Sequence, residues 1–187
     1  MTSKLRKFRV TILCEDIAHH RFIREYLICQ GLNKRDILDF GNVKSRNNGS
    51  VIRHYPDLVR EYRKKKNYQN IALVVMLDAD GESAEYRLRA FGMKLDRGKT
   101  RLNQKTRWDN ERIAIFIPAR NIETWIHYSL GDMDCNEDDD YKKYYTADDA
   151  GKAAKIFANK ICVDGLPQNA LSSLHHACAE LERLKKI

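Results

Sequence analysis

Apolar residues along the chain fall into four short runs separated by stretches of helical periodicity. Residues 8–14 are rich in β-branched and apolar side chains, among them Val10, Thr11 and Ile12, and end at Glu15 and Asp16. That composition predicts a strand. Ile17, Phe22, Ile23, Tyr26 and Leu27 then recur at helical spacing, and Gly31 supplies a C-terminal stop. Ile37, Leu38 and Phe40 predict a second short strand, opening into the loop-like stretch 41–50. Ser50 is placed to cap a helix that carries Val51, Tyr55, Leu58, Val59 and Tyr62 on one face.

Residues 71–77 are apolar without alternation, as a strand buried on both faces of a parallel sheet must be. The run ends at Asp78, Asp80 and Gly81, and a helix is predicted over 82–96. A basic, polar segment fills 97–112, and a fourth strand, 113–117, closes at Pro118. Helices are predicted over 121–130, 146–158 and 168–186, with an acidic loop at 131–140. Strands alternating with helices specify the α/β class. The expected architecture is Rossmann-like: a central, mainly parallel four-stranded sheet flanked by helices, with right-handed crossovers. Residues 1–130 form the α/β domain in this reading, and 131–187 a helical extension packed on it.

Composition narrows the partners. The chain has 187 residues, 43% of them hydrophobic, and 34 Lys and Arg against 26 Asp and Glu, a net charge of +8. This is globular material with a surplus that favours a polyanion, although many soluble proteins have a basic pI. The five cysteines form no C-x-x-C pair and are odd in number, so neither a zinc ribbon nor a disulfide framework is indicated. Residues 71–77, the longest apolar run, are too few to cross a bilayer. Residues 1–10 are basic and lack the apolar core of a signal peptide. A cytoplasmic, reducing location and no membrane association are therefore expected. No Walker loop, Rossmann glycine fingerprint or Ser-His-Asp order is present.

The candidate chemistry lies in the acids. In an open α/β sheet, functional groups collect beyond the carboxyl ends of the strands. Glu15 follows the first strand, Asp78 and Asp80 the third, and Glu123 stands a few residues past the fourth. Residues i and i+2 of an extended chain project to one side, so Asp78 and Asp80 are expected to share an ion. Carboxylates suit Mg²⁺ or Mn²⁺, one ion or two. The plain alternatives are a turn at Asp80 and Gly81 and a helix cap at Asp16. His19 and His20 follow Glu15 at a helix start, within reach of the metal site, but half-exposed helix positions are the expectation, with His175 and His176 far from the strand ends. Among the cations, Lys44 and Arg46 lie after the second strand and Arg120 after the fourth. Arg97, Lys99, Arg101, Lys105 and Arg107, beside Trp108, are spaced to track a nucleic-acid backbone. The run 63–66 lies at the opposite end of the sheet and reads as solvated.

An apolar strand ending in Glu15, a helix, and a later strand ending in Asp78-Ala79-Asp80-Gly81 resemble the Toprim domain of topoisomerases, primases and OLD-family nucleases. The resemblance covers about residues 8–130. It implies a Toprim-type metal-dependent nuclease, with Glu15 as general acid/base or metal ligand and Asp78 and Asp80 as Mg²⁺ ligands. Where the family often has Gly, this chain has Asp16, which is similar to the OLD-like branch with its extra acids for a second metal. The segment 118–125, with Glu123 and Trp125, resembles small Toprim-like proteins of phage-defence systems. Glu123 is thereby implied as a third-shell or second-metal acid, and Trp125 is expected as a core anchor rather than a base-stacking platform. The resemblance also implies an ATPase partner and RNA or DNA as substrate; a homo-oligomer is compatible with it. Two other readings stand beside it: a phosphatase-like hydrolase using the Asp-x-Asp pair, and a non-catalytic nucleic-acid-binding or assembly module.

Overall fold

The structure is a computed structural model that describes residues 8–41, 47–96, 107–131, 135–163 and 165–185. Its strands are β1 (Arg9–Cys14), β2 (Ile37–Asp39), β3 (Ile71–Met76) and β4 (Ile113–Phe116). They form one sheet in the order β2-β1-β3-β4, and every pairing is parallel. The principal helices are α1 (Ile17–Cys29), α2 (Asn48–Lys65), α3 (Ala84–Asp96), α4 (Ile122–Leu130), α5 (Ala147–Ile156) and α6 (Ser172–Lys185). The expected α/β class and flanked four-stranded parallel sheet are thus observed.

Alternate residues of each strand enter different cores, as the two-residue period requires. Val10, Ile12, Val74, Met76 and Phe116 pack beneath α1, α4, α5 and α6 with Phe22, Trp125 and Phe157. Leu13, Leu73, Val75, Ile113 and Ile115 pack on the other face with Tyr55 and Val59 of α2 and Phe91 of α3. Burial on both faces explains the unbroken apolar run 71–77. The C-terminal helices contribute Ala153, Leu174 and Leu181 to the first core, so residues on both sides of position 130 share it. Trp125 is fully buried and donates to Ser173 Oγ at 2.7 Å. Among the described residues, no helix is long and apolar enough to cross a membrane.

Several local expectations are corrected. Asn47, not Ser50, caps α2: its side chain accepts from the Ser50 N–H, because the helix begins three residues earlier than the apolar face suggested. The helix after β3 starts at Ala84 rather than 82, and the last helix at Ser172 rather than 168. Cys162 and Cys178 form a disulfide, although the sequence indicated no disulfide framework; folding brings α6 beside the turn that follows α5. The 63–66 run is only partly solvated, since Arg63 and Lys66 both pair with the fully buried Glu111.

The β4 edge of the sheet is closed by side chains rather than by another strand. Ile115 N–H donates to Glu180 Oε2 at 2.8 Å, and Ile115 O lies 3.1 Å from His176 Nε2. Arg107 donates to Ile113 O at 3.1 Å and pairs with both oxygens of Glu180. An exposed edge would invite pairing with another chain; here α6 occupies it. Glu180 is buried, so its removal leaves the part-buried Arg107 guanidinium without its carboxylate partner and the Ile115 N–H without its acceptor. Glu180→Ala is expected to lower stability by about 3–5 kcal/mol in urea unfolding. A change near zero would show that the edge does not rely on this carboxylate.

Candidate metal centre

Each strand end delivers its acid by a different local device. β1 passes directly into α1 through Asp16, the N-cap, whose carboxylate accepts from the His19 N–H at 3.0 Å. Side chains in a first helical turn lean toward the helix N-terminus, and His19 accordingly points back at the strand ends. Its ring is fully buried, with Nδ1 2.7 Å from Asp16 Oδ1 and Nε2 2.8 Å from Asp78 Oδ1. This overturns the expected half-exposed position; His20 is the more exposed of the pair and reaches Asp39 at 2.7 Å.

Both neighbours of the His19 ring accept hydrogen bonds when ionised, so the ring satisfies both only by donating from both nitrogens. Burial opposes charge on His19, but the Asp78 charge and the bonds to Asp16 and Asp78 outweigh it and hold the imidazole pKa well above its ordinary value. His19 therefore acts as an internal cation fixing Asp78. It lies within 4.8 Å of the ligand atoms of Glu15 and Asp78, yet with both nitrogens bonded it positions a carboxylate rather than ligating an ion.

Glu15 sits half-buried at the end of β1 and accepts the Asp78 N–H at 3.2 Å through Oε2. Burial first, and then the Asp78 charge, raise its pKa. Glu123, in the first turn of α4, is likewise raised, chiefly by burial. Its Oε2 is buried with no hydrogen-bond partner. Two carboxylates whose anionic forms are disfavoured, one holding an orphaned oxygen, are the mark of a site that suits a cation.

Asp80 departs from expectation. It adopts φ 54°, a left-handed conformation that Asp tolerates better than most residues. The extended i, i+2 geometry thus ends before it, and its carboxylate is 52% exposed. Arg87 holds it at 3.0 Å, with Asn48 on the same oxygen. Asp80 therefore stands at the rim, outside the Glu15–His19–Asp78 group. The Ala79, Asp80 and Gly81 N–H groups donate to the carbonyls of Pro118, Arg120 and Ala119 respectively. The two loops that carry Asp78 and Glu123 are thereby laced together.

The cations divide differently from expectation. Arg107 is committed to Glu180 and the β4 edge, so it is withdrawn from the nucleic-acid track. Arg120 lies close enough to Asp140 to help lower that carboxyl's pKa, after the Lys142 N–H and the Asn121 amide. Lys44, Arg46, Arg101 and Lys105 lie outside the described residues, as do Arg97 and Lys99. Lys142, absent from the sequence reading, faces the site. Burial works against its charge, but Asp78, Glu123, Asp80 and Asp140 together raise its pKa. Nothing in its local sequence marks it, because it lies on a separate turn far along the chain from those acids.

No family model matches this chain, and no curated protein or solved structure is significantly similar to it. The chemistry of the site therefore stands on its geometry.

Asp16 offers a test of the buried triad. Although burial raises it, hydrogen bonds from His19 and the His19 charge bring its carboxyl down from 3.8 to about 2. A lowered folded pKa stabilises fully above the unfolded value and is lost as pH falls through the folded one. Its contribution is thus complete above about pH 4 and disappears toward about pH 2. Asp16→Asn keeps an N-cap but not the charge. Urea midpoints followed across that window are expected to fall less steeply in the variant than in the wild type. Equal slopes would mean that the pair with His19 adds nothing.

Proposed function

We propose that this protein is a Toprim-type, divalent-metal-dependent nuclease that cleaves nucleic-acid phosphodiesters. The observation that carries the reading is the convergence of Glu15, Asp78 and Glu123 at the carboxyl ends of β1, β3 and β4. Counted with Asp16, these four carboxylates have His19 and Lys142 as their cationic neighbours among the described residues, so acids outnumber cations there. Asp80 does not alter the excess, since Arg87 pairs with it.

The donor set fits Mg²⁺ or Mn²⁺, because it consists of carboxylate oxygens and one of them is buried without a partner. Glu15, Asp78 and Glu123 are the residues that would hold such an ion, with Asp80 at the rim and Asp16 acting through His19. The chemistry supplied by the ion when bound is water activation and neutralisation of charge on the phosphate oxygens. The chain's own groups do the rest. His19 donates to one oxygen of Asp78 and so orients that carboxylate, as an outer partner of a metal-binding acid should. The raised pKa of Glu15, set by its burial and the Asp78 charge, suits it to accept and return a proton. Lys142 and Arg120 draw a phosphate toward the acids, and the net charge of +8 favours a polyanion over the whole surface.

The reading extends to a cytoplasmic effector of an anti-phage system that acts with an ATPase partner. Those elements rest on the resemblance of the strand-end motifs to small OLD-like Toprim proteins. In that compartment the Cys162–Cys178 pair would meet a reducing pool.

The test is cleavage of RNA, single-stranded DNA and duplex DNA in Mg²⁺ or Mn²⁺, with Mn²⁺ binding followed in parallel by electron paramagnetic resonance. Metal-dependent cleavage is expected to fall by at least on the order of 100-fold in Glu15→Gln and in Asp78→Asn, with loss of bound Mn²⁺. Cleavage that survives EDTA or both substitutions, or wild-type protein that binds no Mn²⁺, refutes the reading.

A further inference from the structure

Directly after the acidic loop the chain becomes aromatic and basic: Tyr141, Lys142, Lys143, Tyr144 and Tyr145. This short turn is pinned at both ends. The Tyr141 ring stacks on His127 of α4 with centroids 4.2 Å apart and planes 19° apart, and it is buried. Tyr145 Oη lies 2.6 Å from His127 Nδ1, so one histidine anchors both flanks. Asp140 Oδ1 accepts from the Lys142 N–H at 2.9 Å and from Asn121 Nδ2 at 3.0 Å. Asn121 in turn caps α4, the helix that carries Glu123. The turn is therefore fixed to the frame that holds the acids.

Between those pins three side chains are left outward. Tyr144 is 61% exposed, and Lys143 Nζ lies 4.9 Å from its ring centroid. Lys142 is exposed and sits on the turn whose backbone is tied through Asp140 to Asn121, the cap of the helix that carries Glu123. A tyrosine used for packing buries most of its ring. Here the flanking tyrosines do so while Tyr144 is held out beside the Lys143 ammonium. A ring has two faces; Lys143 takes one, leaving the other for a planar partner. Aromatic rings accept unpaired bases by stacking, whatever the sequence, while lysines neutralise the flanking phosphates. A base inside a duplex already has both faces stacked and gains nothing from such a ring.

We infer that residues 141–145 form a single-strand-reading element, in which Tyr144 stacks an unpaired base while Lys143 and Lys142 hold the adjoining phosphates over the acids. The inference rests on the nucleic-acid part of the proposed function and deepens it by naming the substrate class: single-stranded segments, bound without sequence preference.

The test is equilibrium binding of the full chain to a fluorescein-labelled single-stranded oligonucleotide and to the matching duplex, by anisotropy in EDTA. Binding is thus read without metal or turnover. Tyr144→Ala is expected to weaken single-strand binding by about 5- to 150-fold and to leave duplex binding unchanged. Tyr144→Trp is expected to restore the affinity. Lys143→Gln is expected to lower it and flatten its salt dependence. Wild-type affinity for the single strand in Tyr144→Ala overturns the proposal, as does equal loss on both probes, or a wild-type chain that does not bind the single strand. Tyr144-dependent binding by a wild-type chain that takes up no Mn²⁺ supports this element and removes the nuclease. Metal-dependent cleavage with Tyr144→Ala binding unimpaired does the reverse.

Discussion

A parallel sheet must be covered on both faces, and that requirement organises the rest of this molecule. Every strand needs a crossover to return in the same direction, and each crossover lays a helix on one face or the other. The strands' carboxyl ends then lie along one rim, where the N-termini of α1 and α4 also point. Acids that are far apart along the chain, Glu15, Asp78 and Glu123, are neighbours there for topological reasons alone. With β1 and β3 adjacent at the centre, Glu15 reaches the Asp78 backbone.

Charge at that rim is arranged in layers. His19 is buried between two carboxylates and works as a fixed internal cation. Its role is orientation, since both nitrogens are engaged. Farther out, Glu15 and Glu123 have anions that their surroundings disfavour, and Glu123 keeps a buried oxygen without a partner. Arg87 neutralises Asp80 at the edge. The carboxylates left without a paired cation there are Glu15 and Glu123, and it is their position beside Asp78 that supports the proposed divalent ion.

The C-terminal third does more than cover one face. Glu180 and His176 of α6 satisfy the outward backbone groups of Ile115, and Arg107 locks Glu180 in place. The open edge of β4 is thereby closed without a fifth strand. The segment before α5 brings Lys142 to the acids and holds Tyr144 in solvent beside them. Residues beyond 130 therefore share the core, the sheet edge and the rim, and an account of the site that stopped at α4 would lack its lysine.

The sequence by itself determined the four strands, the α/β class and the acids at the strand ends. Those features are written locally: a short, β-branched, unbroken apolar run such as 71–77, bounded by polar residues, fits a strand covered on both sides, and Glu15 and Asp78 follow such runs directly. Tertiary structure alone decided which acids meet. Asp80 leaves the group because its backbone turns left-handed one residue after Ala79. His19 joins it because β3 ends over the first turn of α1, a contact between residues 59 apart in sequence. Arg107 looked like a backbone-tracking cation until α6 supplied a buried carboxylate. Lys142 and the Cys162–Cys178 pair left no local signature either, because charge complementarity and sulfur proximity depend on distances that only folding sets. Periodicity reports which face of an element is buried; it does not report what lies on the other side of the contact.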